Sequence, residues 1–186
     1  GGYVGLLRRL LAHGAPVDVA VRGTTAVMAA AMNGQLEALR LLLAAPGGKA
    51  AVNQQSGSKG TTALAEAALS GCTAEARLLL QHGADPNLAE NDGNSPLIRA
   101  AMASGDAGRG VAALLLDAEA EIDHLRKGGA TALMFACKNS NVEVAKLLLE
   151  RGADKDLRDN DGDGVDYYVN AAKHSQEELR ALLASY

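Results

Sequence analysis

Tryptophan is absent from this chain of 186 residues, phenylalanine occurs once, and aromatics make up only 3% of it. With 48% hydrophobic residues, the core has to be built from Ala, Leu, Val and Met, whose small side chains let helices approach closely, as a stacked array needs. Cysteine occurs only at Cys72 and Cys137, too few for a disulfide framework or a metal site by themselves. This usage fits a reducing, intracellular setting, and the expected location is cytoplasmic. Positive charge is not in excess: the formal net charge is −4. That argues against a general nucleic-acid binder or a membrane-surface binder, either of which needs a basic face. No apolar run approaches the roughly 20 residues of a membrane-spanning helix, and no signal-peptide pattern opens the chain. An initiator methionine is also missing, and the opening Gly1-Gly2 is read as part of something longer.

What the chain does have is recurrence. Leucine runs at 10–11, 41–43, 78–80, 114–116, 147–149 and 182–183 each follow a mixed small and polar stretch. Glycines open the units at Gly23, Gly60, Gly93, Gly129 and Gly162, spaced 37, 33, 36 and 33 apart. Gly60 to Asn87 is the clearest copy, with a short apolar helix, a break at Gly71, a second helix ending in Leu78-Leu79-Leu80, and a stop at Gly83. A period near 33 with this content indicates a solenoid of helix pairs.

The unit resembles the ankyrin repeat, with its G-x-T-P-L-H-x-A-A opening, breaking glycine, leucine run and G-A-D-x-N close. Gly93-Asn-Ser-Pro-Leu97 is near that opening, and Gly83-Ala-Asp-Pro-Asn87 and Gly152-Ala-Asp-Lys-Asp156 match the close. The resemblance implies an all-α, ankyrin-type solenoid of stacked helix-turn-helix repeats with short hairpin arms. We divide it into a partial repeat at 1–20, repeats at 21–57, 58–90, 91–126 and 127–159, and a C-terminal capping repeat at 160–186. The first unit supplies only the second helix of a pair, which fits a chain continuing upstream. Where the family places histidine in T-P-L-H, this chain has Met28, Ala65, Ile98 and Met134, so apolar packing must replace a Thr–His network.

Several departures stand out. Ala44 to Lys59 holds four residues more than the reference unit and reads as a flexible Gly, Pro and Ser loop. Ser104 to Gly110 enlarges the break of the fourth unit. Glu119 occupies the closing-glycine slot, a strain of about 1 kcal/mol if that slot requires positive φ. Ser140 replaces a breaking glycine, and Ser175-Gln-Glu-Glu178 reads as a capping box.

Chemical constellations are few. Asp159-Asn-Asp-Gly-Asp163-Gly164 matches the opening of a calcium loop, but Asn170 fills the last ligand slot and Asp166 the usual apolar one, so these residues are read as serving a turn. His13 and His82 share a slot before a closing glycine, which favours a helix C-terminal role, and no histidine pair has metal-ligand spacing. Cys72, at a helix start, is weighed as a reactive thiol and read as a passive turn residue; Cys137 is expected to be buried and inert. No nucleophile–base pair or phosphate loop occurs, so the expectation is a non-enzyme without metal or cofactor.

In ankyrin repeats, hairpin tips and inner helices line a concave face where protein partners dock. The resemblance carries this onto Arg22, Lys59, Asn91, Asn94 and Lys127 at the tips. On the inner helices it gives Met32, Asn33, Leu69, Ser70, Met102 and Lys138, with Glu66, Arg99 and Phe135 in a nearby slot. Met32, Leu69 and Met102 recur at one position and form either an apolar stripe in the groove or packing between repeats. Glu66 and Arg99 are placed to pair across neighbouring units. The expected function is protein–protein binding, with no nucleic-acid partner and no membrane insertion. The alternatives are a structural segment of a large assembly, or a substrate of an asparaginyl hydroxylase, which the resemblance suggests at Asn87.

Overall fold

The computed structural model describes residues 2–105 and 107–186; Gly1, and Asp106 in the enlarged break, lie outside the described residues. Helix α1 (Gly2–Ala12) stands without an inner partner among them. It is followed by the pairs α2 (Ala26–Met32) and α3 (Leu36–Ala44), α5 (Ala63–Ser70) and α6 (Thr73–Gln81), and α7 (Pro96–Met102) and α8 (Ala107–Asp117). The pairs α9 (Ala132–Lys138) and α10 (Val142–Glu150), then α11 (Val165–Asn170) and α12 (Gln176–Ser185), complete the stack. The all-α solenoid expected from the sequence is therefore present. Strands are short: β1 (Ala20–Val21) and β2 (Thr24–Thr25) form one antiparallel arm, with Ala20 opposite Thr25.

The helices make two layers. Inner helices α2, α5, α7, α9 and α11 pack in sequence, as do outer helices α1, α3, α6, α8, α10 and α12. One continuous core runs between the layers. Met28, Ala65, Ile98 and Met134, in the slot the family gives to histidine, are all buried, so apolar packing does fill that position. Met134 adds a weak polar contact as well, its Sδ lying 3.5 Å from the Thr131 backbone N–H.

Each inner helix except α11 starts with a hydroxyl cap. The side-chain oxygens of Thr25, Thr62, Ser95 and Thr131 accept from the N–H of Met28, Ala65, Ile98 and Met134 at 3.1–3.4 Å. Each satisfies one of the free amides that a helix start exposes. The outer helices end differently. His13 Nδ1 donates to the Arg9 carbonyl at 2.8 Å and His82 Nδ1 to the Leu78 carbonyl at 2.9 Å, the helix C-terminal role read from their shared slot.

Side chains also staple one repeat to the next. Asn53 Nδ2 donates to the Gly83 carbonyl (2.9 Å) while its Oδ1 accepts from the Asp85 N–H (2.8 Å). One repeat on, Asn87 Nδ2 donates to the Glu119 carbonyl (3.3 Å) and Oδ1 accepts from the Glu121 N–H (2.8 Å). Asp123 Oδ1 then accepts from the Asp154 N–H at 3.0 Å. The closing slot turns its carbonyl toward the preceding repeat in a left-handed conformation, with φ 86° at Gly83 and 88° at Gly152. Glu119 adopts it too, at φ 62°, without glycine's freedom.

Three expectations need correction. The long arm is not simply a loop: Gly48–Ala51 form a one-turn helix, α4, against α3, and Ala51 and Val52 are buried. The apolar residues there gain by leaving water, which Pro, Gly and Ser content alone did not reveal. The enlarged break is shorter than 104–110, because α8 already begins at Ala107 and runs 11 residues. Gly108 permits this, since a Cβ there would lie 2.0 Å from the Ala100 carbonyl oxygen. Ser175 makes no capping box; it sits at φ 57° and its side chain forms no cap bond. Like Gly71 and Ser140 it is left-handed, but it lies directly before its outer helix, whereas they lie one residue further from theirs.

Candidate partner-binding face

The hairpin tips are joined to one another through the backbone. The Asn91 N–H donates to the Lys59 carbonyl (2.8 Å), and Asn91 Nδ2 donates to the Ser58 carbonyl (3.0 Å). The Lys127 N–H donates to the Asp92 carbonyl (3.0 Å), and Asn160 Nδ2 donates to the Lys127 carbonyl (3.0 Å). This ladder holds Lys59, Asn91 and Lys127 in a row, all three exposed, and Arg22 is exposed at the first tip. Asn94 is different. It is buried, with its N–H and Nδ2 donating to the two carboxylate oxygens of Asp92 at 3.1 and 2.8 Å. Its place after the turn glycine points it inward as a turn brace, away from a partner.

On the inner helices, Met32 is 38% exposed, and Leu69 and Met102 are half-buried. Met102 also packs against the core, so the apolar stripe fades along the stack. Asn33, Ser70 and Lys138 are exposed. Phe135 is buried instead: the Arg126 guanidinium lies over its ring at 5.6 Å from the centroid, and the Tyr168 ring packs beside it at 6.5 Å. A cation over an aromatic face satisfies both groups and covers that side of the ring.

Glu66 and Arg99 do approach across units, at 3.9 Å. The stronger partner is one the sequence did not single out. Arg99 Nε lies 3.3 Å from Glu90 Oε1, and the Glu90 side chain is 1% exposed. The contact is electrostatic; neither Arg99 Nε nor the Glu90 oxygens make an aligned hydrogen bond. Two carboxylates thus occupy Arg99, and its charge turns into the stack. Asn141 was missed as well. It is buried and ties down the irregular fourth repeat, its Nδ2 donating to the Ala101 and Ala103 carbonyls at 2.8 and 2.6 Å.

The remaining chemical candidates resolve into structural roles. Burial, then the Glu75 charge, pushes the Cys72 thiol up from its ordinary value, opposite to activation. Burial, then the Asp166 charge, pushes Cys137 up to about 12. The Asp159 carboxylate is held below its usual range, first by the hydrogen bond from Tyr168 OH (2.6 Å) and then by turn N–H groups, including those of Asp161 and Asp163. Tyr168 is pushed up by burial and by that same carboxylate. The acidic loop therefore directs its first carboxylate into its own turn. Among the described residues no group of three or more His, Cys, Asp or Glu is placed to hold a metal ion. None of their helices is long and apolar enough to cross a membrane.

The family model for ankyrin repeats (3 copies) matches residues 1–90, 45–124 and 89–159. The chain belongs to the ankyrin-repeat family. Its whole length is 32% identical to the ankyrin repeat and KH domain-containing protein mask-1 of Caenorhabditis elegans, of which it spans 7%. Over 83 residues, 45% of the chain, it is 35% identical to the human neurogenic locus notch homolog protein 2, spanning 3% of that protein. Over 41 residues, 22% of the chain, it is 58% identical to the human 2-5A-dependent ribonuclease, spanning 6% of it. Ankyrin repeats generally mediate protein–protein interaction and are typically non-catalytic. Asn87, the residue considered for hydroxylation, has both side-chain amide atoms engaged in the staple to the next ankyrin repeat.

Proposed function

We propose that the inner face of this ankyrin stack binds a protein segment. Met32, Leu69, Met102 and Lys138 would touch it along the helices, and Arg22, Lys59, Asn91 and Lys127 along the tips. The observation that carries the reading is one recurring position. Residues around it, such as Ala31, Ala68 and Ala101, are buried core, while Met32, Leu69, Met102 and Lys138 retain exposed surface. Core packing does not require that surface, and methionine adapts its shape to many partners. Asn33 and Ser70 extend the surface beside it.

The test is affinity capture from cell extract with quantitative mass spectrometry. The wild-type segment is compared with M32E/L69E/M102E, each checked by circular dichroism. The expected outcome is a variant that stays helical and loses the captured protein. A folded variant that retains it would move the interface off the inner face, and a variant that unfolds would make these residues core.

A further inference from the structure

The recurring inner-face position changes chemistry along the stack. It lies two residues before a left-handed residue: Met32 before Gly34 (φ 64°), Leu69 before Gly71 (φ 68°), Lys138 before Ser140 (φ 60°). Each of these lies nine residues after its opening glycine; in the sixth repeat that place falls to Ala171, and Lys173 lies two residues further on, past the end of α11. Met102, ending α7, is the member in between. The series therefore runs Met32, Leu69, Met102, Lys138, three apolar side chains followed by an ammonium group, and Lys173 adds a second just beyond α11.

The change falls at a hollow of about 360 Å³ beside the enlarged break, lined among others by Met102, Lys138, Ser140, Lys173 and His174. No described residue lining it is acidic. Arg8, Arg99, Arg109, Arg126 and Arg151 each lie within 4 Å of a carboxylate, whereas among the described residues no lysine, Lys138 and Lys173 included, has such a pair. On its other side Lys173 borders a shallower hollow holding Glu177 and Glu178, and it forms no ion pair with them. Two exposed, uncompensated cations thus flank an apolar surface on a chain whose formal charge is −4.

Resting on the inner-face reading above, we infer that the bound segment is amphipathic along its length. Its apolar side chains lie over Met32, Leu69 and Met102, and its Asp or Glu carboxylates lie at the hollow formed by Lys138, Lys173 and His174. Lysines act there as mobile point charges on flexible stems, which pair with carboxylates without a fixed geometry. Complementary charge at one end also fixes the direction in which the segment lies.

The test is selection of random 12-residue peptides displayed on phage against the folded wild-type segment. The enriched peptides are then synthesised and titrated against wild type, K138Q/K173Q, K138E/K173E and M32E/L69E/M102E. The expected peptides carry an apolar cluster and an acidic cluster at opposite ends. Affinity should fall about tenfold for the charge-reversed pair, fall less for the glutamine pair, and weaken with added salt. Peptides without acidic residues, or with equal affinity for K138E/K173E, would overturn the inference. If M32E/L69E/M102E still abolished their binding, the inner-face reading would stand. Peptides that bind the triple variant unchanged, or a selection that enriches nothing, would overturn both.

Discussion

The third and fourth repeats solve one architectural problem with different materials. The third relies on glycine. Gly71 breaks the helix pair at φ 68°, where a Cβ would lie 2.5 Å from that of Ala107, and Gly83 closes the repeat. The fourth keeps a left-handed glycine in its break, Gly105 (φ 57°), but lacks the closing one. Its break is widened and braced from the next repeat by Asn141, its close is a strained Glu119, and its inner helix carries the buried Glu90–Arg99 contact. Where backbone freedom is missing, buried polar side chains hold the geometry. Such groups are costly to leave half-satisfied, so the fourth repeat should respond more sharply to substitution than its regular neighbour.

The largest effect is expected at Arg99. Arg99→Ala leaves Glu90 buried without its counter-charge and should lower stability by about 3–5 kcal/mol. Adding Glu90→Gln should recover part of that loss. Urea unfolding of the single and double variants checks both, and an Arg99→Ala change as mild as a surface substitution would remove the contrast. Asn141→Ala comes next. It orphans the Ala101 and Ala103 carbonyls and should cost about 2–3 kcal/mol in the same assay. The smallest effect has the opposite sign. Glu119→Gly keeps the carbonyl that Asn87 uses and relieves the left-handed backbone, so it should stabilise by about 1 kcal/mol, read as a raised melting temperature. Gly83→Ala in the regular repeat should lose a similar amount.

The repeat and the strained close at Glu119 were legible because each is a local pattern. A period near 33 and a glycine slot filled by another residue both show in one dimension. Burial of Asn94 and Phe135 was not legible, because it depends on Asp92, Arg126 and Tyr168 arriving from other turns and helices. Glu90 was missed because an acidic residue beside a hairpin looks solvated until its neighbours close over it. Lys173 was missed for another reason. It lies between α11 and α12, and only the fold brings it beside Lys138 at one hollow. The helix in the long arm was hidden by Pro and Gly composition, although Ala51 and Val52 carried the apolar signal.

The asparagine staples have a mechanical consequence. Asn53 and Asn87 each hold the backbone of the following repeat by two hydrogen bonds, at 30–34 residues along the chain. Tension applied to the chain ends loads these bonds one interface at a time, because each joins only nearest neighbours. Release of a 33-residue repeat such as that from Gly60 to Gly93 frees roughly 100 Å of contour length. The stack is thus built to yield in steps, as a spring whose coils let go singly, and a segment lying across several inner helices would bind those coils together against the pull.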